Sequence, residues 1–493
     1  MPSYSYERLS TESTSFLERE TPRIHGHTTS VLVFDPGPLA KPDGGVDYVA
    51  IRSAIEAHLH EAPRFRQKLA WIPFENHPVW VDDRDFRLNY HLRHSSLPRP
   101  GSLEQLENTV ARIMVQPLNR SRPLWECWVL EGLHDGRFAL LLKTHLSMID
   151  DAVGADLLQA ILAQNVDNPT PDPVPFVPRP RPSARELVMD EIIQQMRLPR
   201  QYFDRFLQLA GDFDRLRYEI RSGTRSLAAL LGYSFRPPVE TPFNGRIGPH
   251  RQSALFGLPL EDAREIATVL DGTVHDVILA TVAAGVRGFL GSRLVSPAAL
   301  DLRVSTPVSV DKGDDDTPER SSVVEWVVDL PVWEKSPRAR FEMIRDRTRA
   351  LRKADGALPA RQIAAEKTWL SARTLCLGAR ALASHTPVNL TVTNVPGPQG
   401  PLYFEGARLL ETFGTVPLRD GHGLGIAVMS YDGKIFWGLN GDVDLMPDLH
   451  HLARCLQEAF VELRDSATRL ASVTPLDRFR DSSPPPLTGT KPS

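Results

Sequence analysis

Leu140-Leu-Leu-Lys-Thr-His-Leu-Ser-Met-Ile-Asp-Asp-Ala-Val-Gly154 is the stretch on which the reading of this chain turns. An apolar run of strand character ends in a histidine, and two aspartates follow within six positions. Such an arrangement puts a titratable imidazole and carboxylates at a strand end, where side chains can face a cleft while the leucines behind them enter a core. Taken by itself, a lone His near Asp is more often a structural pair than a catalytic one. Just upstream, Leu124–Leu130 and Phe138–Thr144 read as two strands separated by the turn-like segment Gly132–Gly136. Ser102 and Gln105 have the spacing of a capping box, ahead of an apolar stripe of Leu103, Leu106, Val110, Ile113 and Met114, which predicts a helix. A second helix is expected from Tyr48, Ile51, Ile55 and Leu59, ending before Pro63.

Further along, residues 168–182 (NPTPDPVPFVPRPRP) are too rich in proline for a helix interior or a central strand and read as a stiff linker. The sequence from 184 to 231 is amphipathic and rich in arginine and aromatics, with Met196, Tyr202, Phe203, Phe206, Leu209, Phe213 and Leu216. Two readings stay open for it: a helical connector packed on the domains, or an interfacial helix lying on a lipid surface. A second α/β pattern then runs through a helix with Val274, Ile278, Val282, Val286 and Phe289 on one face, and through strands at Leu300–Val310 and Ser322–Pro331. Helices are expected at Arg338–Leu351 and Met446–Leu463, and strands at Asn389–Val395, Leu424–Tyr431 and Lys434–Leu439. The predicted division is an α/β domain over 1–167, a linker and connector over 168–249, a second α/β domain over 250–475 and a disordered tail over 476–493. Two domains suit a chain of 493 residues.

Composition excludes several classes. A net charge of −4 gives no basic field for nucleic acid, and no zinc-finger or other nucleic-acid signature is present. Cys127, Cys376 and Cys455 are odd in number and widely spaced, which argues against a disulfide framework and for a reduced, cytoplasmic setting. The polar N-terminus MPSYSYERLSTESTSFLERE lacks the apolar core of a secretory signal. No stretch reaches the roughly 18 uninterrupted apolar residues of a membrane span, so any membrane contact is expected to be peripheral.

Six further landmarks lie in order along the chain. They are Arg64-Phe-Arg66 with His77-Pro-Val-Trp80 and Asp85-Phe-Arg-Leu-Asn-Tyr-His-Leu92, then Pro123-Leu-Trp-Glu126, His275-Asp-Val-Ile-Leu-Ala280, Thr393-Asn-Val-Pro-Gly-Pro398, Ser430-Tyr-Asp-Gly433 and Pro447-Asp448. Together with the 140–154 segment they resemble the bacterial wax ester synthase/diacylglycerol acyltransferase family, whose motif is His-His-x-x-x-Asp-Gly. The resemblance implies two chloramphenicol-acetyltransferase-like α/β domains around a central tunnel, with no transmembrane helix. It implies transfer of a long-chain acyl group from acyl-CoA to diacylglycerol or a fatty alcohol. In that family the second histidine is the general base on the acceptor hydroxyl, the aspartate is structural, and there is no acyl-enzyme. Acyl-CoA is a substrate, so no cofactor is implied. The expected surroundings are cytoplasmic, with contact to the inner face of a membrane or a lipid-droplet surface.

One departure matters. Aligned without gaps, His145 takes the first histidine, Leu146 the second, Asp150 the aspartate and Asp151 the glycine. Leucine cannot accept a proton. Three readings follow: a bulge swings His145 into the base position, the protein binds acyl-CoA or lipid without turning it over, or proximity alone sustains slow transfer. His145 is the candidate proton acceptor and Asp150 its structural support, while Asp151 offers a second carboxylate that would need a raised pKa to serve as a base. Asn394 and Gly397 border the tunnel by resemblance. Trp125 is expected in the core and Asp276 as a helix cap, with His450 and His451 facing solvent. His58, His60, His91 and His94 show no metal-ligand spacing. No phosphate-binding loop is present, so CoA recognition is left to scattered basic side chains.

Overall fold

The computed structural model describes residues 6–42, 44–73, 76–149, 157–168, 170–187, 189, 239–298, 300–310, 322–357 and 388–473. In chain order the first half forms β1 (Glu7–Arg8), α1 (Thr11–Glu18), β2 (His27–Asp35), α2 (Tyr48–His58), β3 (Gln67–Trp71), β4 (Pro78–Asp82), β5 (Leu92–Ser96), α3 (Leu103–Met114), β6 (Trp125–Glu131), β7 (Phe138–His145) and α4 (Leu157–Ile161). The second half forms β8 (Arg251–Pro259), α5 (Leu260–Val269), α6 (Val274–Ser292), β9 (Asp301–Val310), β10 (Ser322–Pro331), α7 (Pro337–Ala357), β11 (Leu390–Val395), β12 (Tyr403–Phe404), β13 (Ala407–Thr415), β14 (Leu424–Tyr431), β15 (Lys434–Asp442) and α8 (Leu449–Val473). The aromatic segment at 184–231 lies almost wholly outside the described residues, as does the tail.

Local chemistry explains the element ends. Ser102 and Gln105 close both bonds of the capping box at α3. Thr273 and Asp276 do the same at α6, and Thr348 adds a 2.6 Å hydrogen bond to Asp276, which is fully buried. β7 is buried at every position, as its continuous apolar run requires. By length and composition α6 could cross a membrane. Most of it is buried in the second core instead, against Leu452, Leu456 and Phe460 of α8 among others.

The strands form three sheets. The small one has the order β1-β4-β3, and the two large ones have the orders β12-β13-β2-β7-β6-β5 and β10-β9-β11-β14-β15-β8. The first large sheet is not made by the first half alone. β13 pairs antiparallel with β2 from Arg408↔Asp35 to Thr415↔Thr29, and Thr28 Oγ1 donates to Thr415 O at 2.7 Å. Residues 403–415, placed by sequence within the second domain, therefore complete the first sheet, because β2 would otherwise present an unpaired edge. The first core accordingly contains Leu255, Phe404, Phe413 and Phe436 from the second half. Where β13 crosses the second sheet the backbones touch: a Cβ on Gly438 would lie 2.0 Å from Gly414 O, so no larger residue fits there.

A buried carboxylate bridges the two halves. Glu107 on α3 accepts the Leu255 N–H at 2.6 Å, and its other oxygen lies 2.9 Å from His450 Nε2. Burial pushes the Glu107 carboxyl up from its ordinary value in spite of those two bonds. His450, expected to face only solvent, is exposed on one side and tied to Glu107 on the other. Substituting Glu107→Ala strands the Leu255 N–H in a buried position and is expected to cost about 1–3 kcal/mol. Glu107→Gln keeps an acceptor and should recover most of that loss. Urea midpoints of the two variants provide the comparison.

Candidate functional site

The β2–β7 ladder runs without interruption from Phe34↔Phe138 to His27↔His145. No bulge intervenes, so His145 stays on the face that the strand alternation assigns to it, beside His27, with ring centroids 5.8 Å apart. The ring is only 2% exposed. Its Nδ1 accepts the Ser147 N–H at 3.1 Å and lies 2.7 Å from Ser147 Oγ. With Nδ1 used as an acceptor, the neutral ring carries its proton on Nε2, which points at Glu20 Oε1 at 3.2 Å. Both ring nitrogens are occupied. The expected swing of His145 into a base position is not what the structure contains, because register and hydrogen bonds hold the ring in the wall.

Glu20 organises this wall. Its carboxylate accepts from Gly26 N at 2.8 Å and from Arg120 Nη2 at 2.6 Å, in addition to His145. Burial by itself would raise the carboxyl, yet the hydrogen bonds from His145 and Arg120 hold it well below the usual carboxylate range. Gly26 passes close above the imidazole: a Cβ there would sit 3.0 Å from His145 Nε2. Lys143, one strand position pair back on the same face, is fully buried and donates to the carbonyls of Ile113 (2.9 Å) and Gln116 at the end of α3. There it answers the negative end of the helix, while burial brings its ammonium down to about 8.

Two more imidazoles complete the cluster. His27 is 3% exposed, its Nδ1 has no hydrogen-bond partner among the described residues, and its Nε2 lies 3.7 Å from Glu20 Oε1. Burial, followed by the Lys143 charge, pushes it down to about 2. His25 is partly exposed and stacks on His27 at 5.1 Å. Neither histidine nor Glu20 stood out in the sequence. The available signal was the His25-x-His27 spacing, which puts two imidazoles on one face of an extended chain.

The remaining expected positions fall as follows. Leu146 is partly exposed and opens a short 3-10 turn, Leu146–Met148, with its N–H donated to Gly26 O at 2.8 Å. Asp150 and Asp151 lie outside the described residues. Asn394 pairs with Val428 in the second sheet, and Gly397 donates to Ser430 Oγ at 3.1 Å. Among the described residues no hydrogen bond joins Asn394 or Gly397 to His145. Trp125 is fully buried, with its indole N–H on Phe65 O. His58, His60 and His91 are engaged by Glu61, Ala57 O and Trp125 O. Among the described residues no group of three His, Cys, Asp or Glu side chains is arranged to hold a metal ion.

The family model for the wax ester synthase/diacylglycerol acyltransferase catalytic domain matches residues 9–278, and that for the WS/DGAT C-terminal domain matches residues 323–464. The chain belongs to the wax ester synthase/diacylglycerol acyltransferase family. Its relatives include a Mycobacterium tuberculosis (strain H37Rv) protein named provisionally as a diacylglycerol O-acyltransferase, 33% identical over 481 residues, covering 93% of this chain and 90% of the relative. Another protein of that strain bearing the same activity in its name is 27% identical over 476 residues, covering 92% and 95%. Among solved structures, the wax ester synthase/diacylglycerol acyltransferase from Marinobacter aquaeolei VT8 superposes with a TM-score of 0.63 at 23% identity, covering 94% of this chain and all of that one. The first condensation domain of the CDA synthetase gives 0.57 at 16% identity, covering 95% and 98%. These structural likenesses speak to the fold, that of two sheet-rich α/β domains.

For this member of the wax ester synthase/diacylglycerol acyltransferase family, the cluster sets a pH response. The unfolded chain protonates His27 near its ordinary 6.5, whereas the folded site refuses the proton down to about 2. As pH falls below 6.5, protons bind the unfolded state preferentially, and stability drops by at most about 1.4 kcal/mol per pH unit from this group. Glu20 stays ionised in the folded state across pH 7 to 5 and adds only a small further loss as pH nears its ordinary 4.5, where the unfolded carboxyl starts to protonate. Urea midpoints at pH 7, 6 and 5 are expected to fall, and His27→Asn should flatten the decline.

Proposed function

We propose that the protein transfers a long-chain acyl group from acyl-CoA to the hydroxyl of diacylglycerol, or of a long-chain alcohol, to give triacylglycerol or a wax ester. The carrying observation is the match of the family's catalytic and C-terminal models, in order, along both halves of the chain. The names of the mycobacterial relatives favour diacylglycerol as acceptor, and that of the Marinobacter enzyme admits both acceptors. Acyl-CoA enters as a substrate and CoA leaves as a thiol, so the reaction needs no bound cofactor. His145 acts in this reading as a positioning residue: it pins the 146–148 turn through Ser147 and the 20–26 segment through Glu20. The proposed role of Asp150, supporting the loop after this turn, follows from the motif alone.

One observation favours a second reading. Leu146 stands where the family motif has its base, which suits a paralogue that binds acyl-CoA or lipid without turnover. Radiolabelled palmitoyl-CoA incubated with diolein or hexadecanol, followed by chromatography of the neutral lipids, separates the two. Labelled triacylglycerol or wax ester is expected. Retained acyl-CoA binding with no labelled ester from either acceptor would establish the binding protein instead.

The setting that fits these substrates is cytoplasmic, against the inner face of a membrane or a lipid droplet. The sequence of 184–231, with Phe203 and Phe206 among its basic residues, is the proposed contact. In a flotation experiment with anionic liposomes the wild type should rise with the vesicles, and a Phe203→Ser/Phe206→Ser double variant should stay at the bottom of the gradient.

A further inference from the structure

Three cations line one cavity in the second half, which shares no residue with the Glu20–His145 cluster. The cavity measures about 390 Å³, within the range of about 300–1,000 Å³ typical of small-ligand sites. α6 contributes Arg287, Gly288 and Gly291, the turn between β10 and α7 contributes Lys335, α7 contributes Arg340 and α8 contributes Glu462. Arg340 is only 2% exposed. Its Nη1 donates to Glu334 O at 2.8 Å, while its Nη2 lies 3.8 Å from Glu462, beyond hydrogen-bond reach. Its Nε has no partner among the described residues. Burial lowers its proton affinity, as expected of a guanidinium short of acceptors. Arg287 spends Nη1 on the carbonyls of Val332 and Trp333, both at 2.9 Å, and makes no other hydrogen bond among the described residues. Lys335 is exposed and makes no hydrogen bond or ion pair among the described residues.

We propose that this cavity binds a phosphoryl dianion, carried by a soluble phosphate ester or by a phospholipid headgroup. The proposal does not depend on the acyltransferase reading. Three positive charges face one carboxylate, and the surplus is one that a dianion cancels and a lone carboxylate does not. Glu462 is itself mostly exposed, so water satisfies it and it neutralises little of that surplus. A guanidinium presents its donors in a planar fork that meets phosphate oxygens two at a time, and an ammonium adds a point charge. Both arginines are tied to the 332–334 turn by one nitrogen each, which sets them before a ligand arrives. Lys335, exposed and unpaired, is the group left to move onto the anion. Gly291, where an added Cβ would meet nothing within 4 Å, keeps the α6 wall open. For packing alone the place is badly furnished: an apolar side chain of similar length would fill the position of Arg340 with no charge to satisfy.

Calorimetric titration of the full chain with inorganic phosphate tests this, at fixed ionic strength and at a mildly alkaline pH where phosphate is a dianion. Saturable binding is expected, and acetate at the same ionic strength should not compete. Lys335→Gln and Arg287→Gln should each weaken binding at least about tenfold. Glu462→Gln should tighten it about two- to tenfold, because a competing negative charge is gone. Arg340→Met should abolish it. Should that variant not fold, the Lys335 and Arg287 variants decide, since neither side chain is buried. Flotation with four-to-one phosphatidylcholine–phosphatidic acid vesicles separates the two sources. If the ligand is a headgroup, Lys335→Gln lowers the fraction that floats and free phosphate competes with the vesicles. If it is a soluble ester, the titration responds to the variants and the flotation does not. Absence of saturable binding to both phosphate and vesicles overturns the proposal. So does binding that stays within about threefold of wild type in both Lys335→Gln and Arg287→Gln, the mark of an anion held elsewhere. Either failure leaves the acyltransferase reading intact, since that is judged by labelled ester alone.

Discussion

A carboxylate drawn out of water must be met by donors, and Glu20 is met by three: the His145 ring and the Arg120 guanidinium, both remote in sequence, and the nearby Gly26 N–H. That requirement fixes the end of β7, the segment entering β2 and the loop leaving α3 relative to one another. Removing the buried His145 ring would leave that carboxylate short of a partner on its buried side, whereas the Arg120 contact is exposed to water. His145 is consumed by this task. The same hydrogen bonds that make it structurally indispensable make it a poor recipient for a substrate proton.

The two halves of the chain are held together at several points of different character. β13 supplies backbone hydrogen bonds to β2, Glu107 receives the β8 backbone from α3, and Arg251 reaches back from β8 to the 21–26 segment. The β13–β2 ladder and the Glu107 contact lie in places with little solvent, whereas the Arg251–Arg23 contact is exposed. The 21–26 segment lies between the Glu20 knot and the Arg251 latch, and His25 is on it, next to the start of β2.

Much of this was legible from residues. Capping boxes at Ser102/Gln105 and Thr273/Asp276, and the apolar periods of β6, β7, α3 and α6, are local signals, and they were sufficient to place those elements and Trp125. The motif landmarks were sufficient for the family. What could not be read was whatever depends on distant pairing. The strand at 407–415 looks like any other strand, and nothing in it announces that its partner is β2. The Glu20–His145 contact spans 125 residues. A leucine in the second-histidine position is equally compatible with a bulge before it and with a straight ladder; the unbroken β2–β7 register up to His145 decides for the ladder. His25 and His27 carry no metal-ligand spacing, and their place beside His145 follows only from the β2–β7 pairing.

The pairing of β13 with β2 also has a consequence for biosynthesis. β7 is complete long before β13 is translated, with about 260 residues between them, which corresponds to roughly 13–52 s of synthesis at about 5–20 residues per second. Throughout that interval the nascent first sheet carries β2 as an open edge flanked by Val31, Leu32, Val33 and Phe34, an apolar template for pairing with the wrong strand. The first sheet can therefore close its β2 edge only once its last strand arrives from the other end of the polypeptide.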